Sequence, residues 1–272
     1  MKTKILVVSH KDFDTGILPP FYQVIKVSNC LSDDEALAKG FLVDSKGDNI
    51  SSKNPFYCEL TALYWAWKNL NDLDYIGITH YRRYFVSYSL NRKSIKDSIL
   101  TCEEIESILG KYKIILPFRI KKVTLEESET HVNEVSPFPI IRQILNEHYP
   151  QYLTSFDRII EGNSMCFQNL MVTSKTYFDQ YSKWLFFLLE QFDNECKKRG
   201  IERIPRWDGF ISEYLLNVWV DYNFTENDIF RSEVGNTENC KNGAFKVGFI
   251  SRIIKSNQCL DKVIRNLIIK FH

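Results

Sequence analysis

The chain has 272 residues (32.1 kDa), 44% hydrophobic and 25% charged, which is enough apolar sequence for one large or two small cores and excludes disorder. A formal net charge of +1 and a pI near 7.5 exclude a global field for nucleic acid, so any basic surface is local. Seven cysteines without CxxC or zinc-type spacing read as reduced thiols, and the N-terminal apolar run, Ile5 to Val8, is too short for a signal-peptide core or a membrane span; together these predict a cytoplasmic protein.

In chain order, Lys4 to Ser9 reads as a buried strand opening into His10 and Lys11, and residues 12 to 54 read as irregular. Asn54 offers an N-cap and Pro55 a first helical residue, and Leu60, Leu63, Tyr64 and Trp67 give the helix that follows one apolar face. Tyr75 to Thr79 is a compact strand, and Tyr112 to Leu116 another, stopped by Pro117. The polar stretch between Phe118 and Phe138 has no period and reads as a long loop. Met165 to Thr173 is a third interior strand, Lys175 to Lys198 the clearest helix, ended by Gly200, and Asp208 to Val220 a further helix. Strands alternating with helices predict an α/β sheet flanked by helices, with ligands beyond the carboxyl ends of its strands, where His10 and His80 both fall.

His80, Arg82 and Arg83 put three groups able to carry positive charge just past a strand. Guanidinium forks match phosphate oxygens, so the cluster suits a diphosphate; ordinary surface ion pairs fit the same spacing. No Ser/His/Asp or Cys/His arrangement and no glycine-rich phosphate loop is present, which removes hydrolase and P-loop readings. The 14 Tyr and 19 Phe suit an aromatic core or a carbohydrate-facing cleft. The tail, residues 251–272, interleaves Ile253, Ile254, Leu260, Val263, Ile264 and Leu267 with Arg252, Lys255, Lys262 and Arg265. This basic amphipathic helix suits either an anionic membrane surface or packing with a solvated basic edge.

The segments NISSKNPFYCELTALYWAWKN at 49 to 69 and DYIGITHYRRYF at 74 to 85 resemble a bacterial polysaccharide-biosynthesis glycosyltransferase family long catalogued as a domain of unknown function, which includes galactofuranosyltransferases. VVSHK at 7 to 11, CFQNLMVTSKTYFDQYSKWLF at 166 to 186 and RWDGFISEYL at 206 to 215 resemble its other blocks. The resemblance implies a GT-A-like nucleotide-sugar fold over residues 1–250, with a donor half (1–117) and a helical acceptor and catalytic half (118–250). It also implies a UDP-sugar donor, with UDP-galactofuranose the best single guess, and a lipid-linked oligosaccharide acceptor.

Ordinary GT-A members carry a metal-binding Asp-x-Asp where this chain has His80-Tyr81-Arg82. Asp12-Phe13-Asp14 and Asp72-Leu73-Asp74 fit the bare pattern away from that place. The expectation is therefore a site without a divalent metal, in which His80, Arg82 and Arg83 neutralise the departing diphosphate. Donor contacts implied by the resemblance are His10, Lys11, Asn49, Glu59 and Tyr64. Lys11 also fits a solvated role, Tyr64 the core, and Glu59 a complement to its helix dipole. For the general base of an inverting transfer, Glu213 is the first candidate and Asp208 the reserve. Gly209, Glu213 and Asn217 form a narrow polar stripe on an otherwise apolar helix, and the glycine leaves room for a ligand or a chain segment. Arg206 is expected to orient a donor or acceptor oxygen, and Asn169, inside an apolar strand, to bridge structurally or to bind a sugar hydroxyl. Two other functions fit the same features, a sugar-phosphate transferase and a non-catalytic glycan-binding subunit of a synthesis complex.

Overall fold

The computed structural model describes residues 1–28, 31–89, 93–122, 136–240 and 245. Its strands are β1 (Thr3–Ser9), β2 (Tyr22–Lys26), β3 (Leu42–Val43), β4 (Tyr75–His80), β5 (Arg83–Phe85), β6 (Ile114–Pro117), β7 (Ile120–Lys121), β8 (Ser164–Met165), β9 (Met171–Ser174), β10 (Ile229–Ser232) and β11 (Val234–Asn236). The helices of one turn or more are α1 (Asp33–Ala38), α2 (Asn54–Tyr57), α3 (Leu60–Asn69), α4 (Ile95–Ser98), α5 (Cys102–Leu109), α6 (Phe138–His148), α7 (Leu153–Glu161), α8 (Lys175–Arg199) and α9 (Trp207–Asn223).

The main sheet runs β10-β6-β9-β4-β1-β2-β3. Every neighbouring pair on this path is parallel except the two made by β9, which opposes both β4 and β6. β9 therefore begins at the edge where its neighbours end. β4 folds back on itself at the pair His80↔Arg83, so His80-Tyr81-Arg82-Arg83 is a tight hairpin whose return strand, β5, is extended by β11.

The period of two along β1 supplies both cores: Leu6 and Val8 join Leu60, Leu63, Phe178, Leu185 and Trp219 on one face, and Ile5 and Val7 join Tyr22, Phe85 and Ile105 on the other. α8 matches its expected span. Ser174 caps its first turn by accepting from the Tyr177 N–H, Lys197, Lys198 and Arg199 complement its carboxyl end, and Gly200 takes the left-handed φ of 65° that closes it.

Three expectations are corrected. The helix predicted from Asn54 is broken at Cys58 (φ 50°, ψ −127°), and Asn54 is no N-cap; its amide bridges the break to the Cys58 carbonyl (2.9 Å) and Thr61 Oγ1 (3.3 Å). The single strand predicted over 165–173 is β8 and β9, separated by Gln168 and Asn169 at φ 76° and 52°. Residues 12 to 54 are not irregular, since β2, α1 and β3 lie there, α1 being started by a Ser32–Glu35 capping box. Most of the long loop, 123–135, and the basic tail, 251–272, lie outside the described residues. No described helix is long and apolar enough to cross a membrane, and Cys58, Cys102, Cys166, Cys196 and Cys240 are free thiols.

Candidate active site

The ends of β1 and β4 and the start of β9 meet at one sheet edge, and most of the residues singled out from the sequence converge there. His10 and Lys11 follow β1 and bracket the ring of Tyr81, His10 edge-on at 5.2 Å and the Lys11 Nζ at 4.8 Å; Arg82 approaches the same ring at 5.5 Å. Tyr81, in the hairpin loop, was not singled out from the sequence. It gathers three cationic or imidazole side chains on one aromatic platform. Arg82 also donates from Nη1 to both carboxylate oxygens of Glu238, 3.0 Å each. Arg83 is half-buried, and neither it nor exposed Arg206 makes an ion pair with a described residue.

His80 departs from its expected role as a cation. Burial, with Arg83, Arg82 and His10 around it, pushes its pKa down to about 3, so the ring is neutral and its buried Nε2 has no hydrogen-bond partner. The positive charge at this edge belongs to Lys11, Arg82, Arg83 and Arg206. His10 is held down in the same direction, by burial first and then by Lys11, Arg82 and Arg206.

Two carboxyls face these cations. Glu59 follows the break at Cys58 and precedes α3; its Oε1 accepts from Asn169 Nδ2 at 2.7 Å, so it does more than complement a helix dipole. Burial raises its pKa, against the pull of Asn169, Arg206 and Arg83. Glu213, on α9, accepts at Oε1 from the Gln168 N–H at 2.8 Å. Burial and then the nearby Glu59 push it up to about 7, opposed by the Gln168 N–H, Arg83 and Arg206. A carboxyl with a pKa close to physiological pH, beside unpaired guanidiniums, can take up and release a proton.

The polar stripe of α9 is closed at both ends, where Gly209 and Asn217 are buried, and Glu213 between them is partly exposed. A Cβ on Gly209 would sit 3.3 Å from Cys58 Cβ and Sγ, so the glycine admits the chain segment that carries Glu59. Asn217 brackets Cys166, accepting from its N–H at 3.0 Å and donating to its carbonyl at 2.8 Å, and Glu213 lies between. Of the six non-glycine residues with positive φ among the described residues, Cys58, Gln168, Asn169 and Arg206 surround this one site. Each such conformation costs on the order of 1–3 kcal/mol unless its surroundings enforce it, and such residues cluster at functional sites.

Four candidates stand differently. Asn49 is spent on its own loop, donating to the Ser45 and Gly47 carbonyls and accepting from Ser51. Tyr64 donates to Asp48 and packs edge-on against Trp67 and Phe186, so neither residue joins the cluster. Asp208 is fully buried and paired with Arg203, which also binds Asp193 at 2.6 Å and lies over the Phe56 ring at 4.5 Å; a carboxylate so enclosed has no path to an acceptor hydroxyl. Asn169, only 1% exposed, donates to Glu59, Ser212 (2.8 Å) and the Gly209 carbonyl (3.3 Å), so its amide nitrogen is consumed inside the protein and not offered to a sugar. Asp12 pairs with Lys39, Asp14 caps a short turn at Gly16, and Asp72 and Asp74 both hold Lys2 at the opposite sheet edge. Among the described residues no group of three or more His, Cys, Asp or Glu is arranged to hold a metal ion.

Comparison with curated proteins gives no match. Among solved structures, one described as the apo structure of the bifunctional glycosyltransferase WbbM is similar in fold, with a TM-score of 0.66 and 25% identity over 92% of this chain and 48% of that one. The present chain thus spans about half the length of that protein, and its helix-flanked, mostly parallel sheet is of glycosyltransferase type. The model for the family described as Domain of unknown function (DUF4422) matches residues 4–224, a span holding both carboxyls and the whole cationic hairpin, and the chain belongs to that family.

Proposed function

We propose that the chain is an inverting glycosyltransferase that moves a sugar, with galactofuranose the best single guess, from a UDP-sugar to a lipid-linked oligosaccharide of a bacterial surface polysaccharide. The observation that carries this reading is the juxtaposition of Glu213, poised at about 7, with the guanidiniums of Arg83, in the hairpin after β4, and Arg206, at the start of α9. Similarity to a glycosyltransferase structure supports the same class.

In this mechanism ionised Glu213 accepts the proton of the acceptor hydroxyl while that oxygen attacks the anomeric carbon. The bond from that carbon to the diphosphate oxygen breaks, and its electron pair leaves with UDP. Arg82, Arg83 and Lys11 offset the charge that develops on the diphosphate, and neutral His80 offers a hydrogen bond rather than a charge. Glu59, held by Asn169, and Arg206 complete the wall around the reacting centre. We further propose that these fixed cations take the place of a divalent metal, and that the basic tail 251–272 brings the enzyme to the membrane surface where the acceptor lies.

The decisive experiment is calorimetric titration with UDP, with and without manganese or magnesium, on the wild type and on an Arg82→Ala, Arg83→Ala double variant. Binding that ignores metal and is lost in the variant is the expected result. A strict metal requirement overturns the fixed-cation mechanism, and no nucleotide affinity at all turns the reading to a glycan-binding subunit. The same cations suit a sugar-phosphate transferase, which the mass of the product separates from a glycosyltransferase.

A further inference from the structure

We propose that Asn169 is a positioning residue that assigns the proton shared by the two facing carboxyls, holding Glu59 as the anion and leaving Glu213 as the group that exchanges a proton. The proposal rests on the reading of Glu213 as the base, but its test does not.

The geometry is specific. The two hydrogens of Asn169 Nδ2 are matched by Glu59 Oε1 at 2.7 Å and Ser212 Oγ at 2.8 Å, with the Gly209 carbonyl more distant at 3.3 Å. The Ser212 hydroxyl spends its own hydrogen on the Gly209 carbonyl (2.6 Å), so Ser212 Oγ is free to accept. An amide N–H aimed at a carboxyl oxygen favours the ionised form. The preceding residue does the same for the other carboxyl, through the Gln168 N–H to Glu213. Two consecutive left-handed residues thus aim consecutive donors at two different carboxyls.

The other charged groups do not discriminate between the two. Arg83 and Arg206 act on both Glu59 and Glu213, and so does the Cys58 thiol; the remaining titratable neighbours are Tyr181 beside Glu59 and Tyr214 beside Glu213. Asn169 touches Glu59 alone, and it is the side chain that breaks the symmetry. It sits there with a left-handed backbone and a buried Oδ1 that has no partner among the described residues.

The test is carbon-13 NMR of the glutamate side-chain carboxyls of the full chain, titrated without substrate and assigned with Glu59→Gln and Glu213→Gln. In the wild type Glu213 titrates near 7. Asn169→Gly keeps the left-handed turn and removes the amide; Glu59 then gains the proton first, its titration rises, and that of Glu213 falls by roughly one unit. Asn169→Asp keeps the shape, removes the donor and adds a charge, so Glu213 moves up instead. Opposite movements in the two variants support the assignment, and should the glycine chain fail to fold, Asn169→Ala, which removes the amide without adding a charge, replaces it with the same expected fall. A Glu213 titration unmoved by removal of the amide overturns the assignment. UDP calorimetry on the same samples keeps the two ideas apart, because absent nucleotide affinity with the expected NMR movements would remove the transferase reading and leave the proton assignment standing.

Discussion

Glu213→Gln should inactivate the protein and stabilise it at the same time. The carboxyl rises from an ordinary 4.5 to about 7 on folding, so the native state resists its ionisation. In full that difference is worth on the order of 3 kcal/mol, and about 1–2 kcal/mol once the part of the side chain that reaches water is discounted. The sign follows from proton binding: between 4.5 and 7 the native chain holds more protons than the unfolded one, so the penalty is nearly absent in acid, grows as pH rises and is complete above 7. Glutamine keeps the oxygen that accepts from the Gln168 N–H and cannot ionise. Thermal melts should therefore show the variant ahead of wild type by roughly 2–8 °C at pH 8, with most of that lead gone by pH 5, while kcat falls by roughly 10²–10⁴. Equal midpoints at pH 8, or a lead that grows toward acid, would refute the reasoning.

Activity should rise with pH through about 7, as Glu213 loses its proton, and a rate profile flat from pH 5 to 8 would exclude it as the base. Glu238→Gln releases Arg82 from a bidentate but half-exposed ion pair, worth roughly 0.2–1 kcal/mol, and should tighten UDP binding by about 1.4- to 5-fold in calorimetry; weaker binding would mean that Glu238 instead orients Arg82 for the nucleotide. Gly209→Ala should lower stability by roughly 1–3 kcal/mol in a urea titration, because its methyl meets Cys58 Cβ and Sγ at 3.3 Å. Adding Cys58→Gly, which removes both atoms and suits the φ of 50°, should recover most of that loss. Removal of residues 251–272 should abolish sedimentation with anionic lipid vesicles while leaving UDP affinity unchanged.

Long periodic elements were legible in the sequence and short or bent ones were not. α8 is read within one residue of its end because its apolar repeat runs for 25 residues between a serine cap and a glycine. The chain around Asn169 reads as one strand because hydropathy carries no trace of two positive φ angles, and the break at Cys58 is hidden for the same reason. At the site, the motif-bearing residues His10, Lys11, Glu59, Arg82, Arg83, Arg206 and Glu213 do converge. Asn49 and Tyr64 lie in the same sequence block as Glu59, yet their side chains turn to a local loop and an aromatic cluster. The engagement of Asp208 depends on Arg203 and Asp193, a partnership with no local spacing to reveal it. His80 sits where a cation was expected, and only its three-dimensional neighbours make it neutral.

The reversed strand β9 also shapes how the protein acquires its function as it is made. Because it enters the sheet between β4 and β6 from the opposite direction, the turn that holds both carboxyls is contributed by residues far from either of them in the chain. Glu59 emerges from the ribosome well over a hundred residues before Glu213. Chains that end before α9 carry the hairpin arginines without Glu213, the proposed proton acceptor. Anion binding should therefore precede turnover competence during synthesis, and no fragment that ends before α9 should retain residual activity.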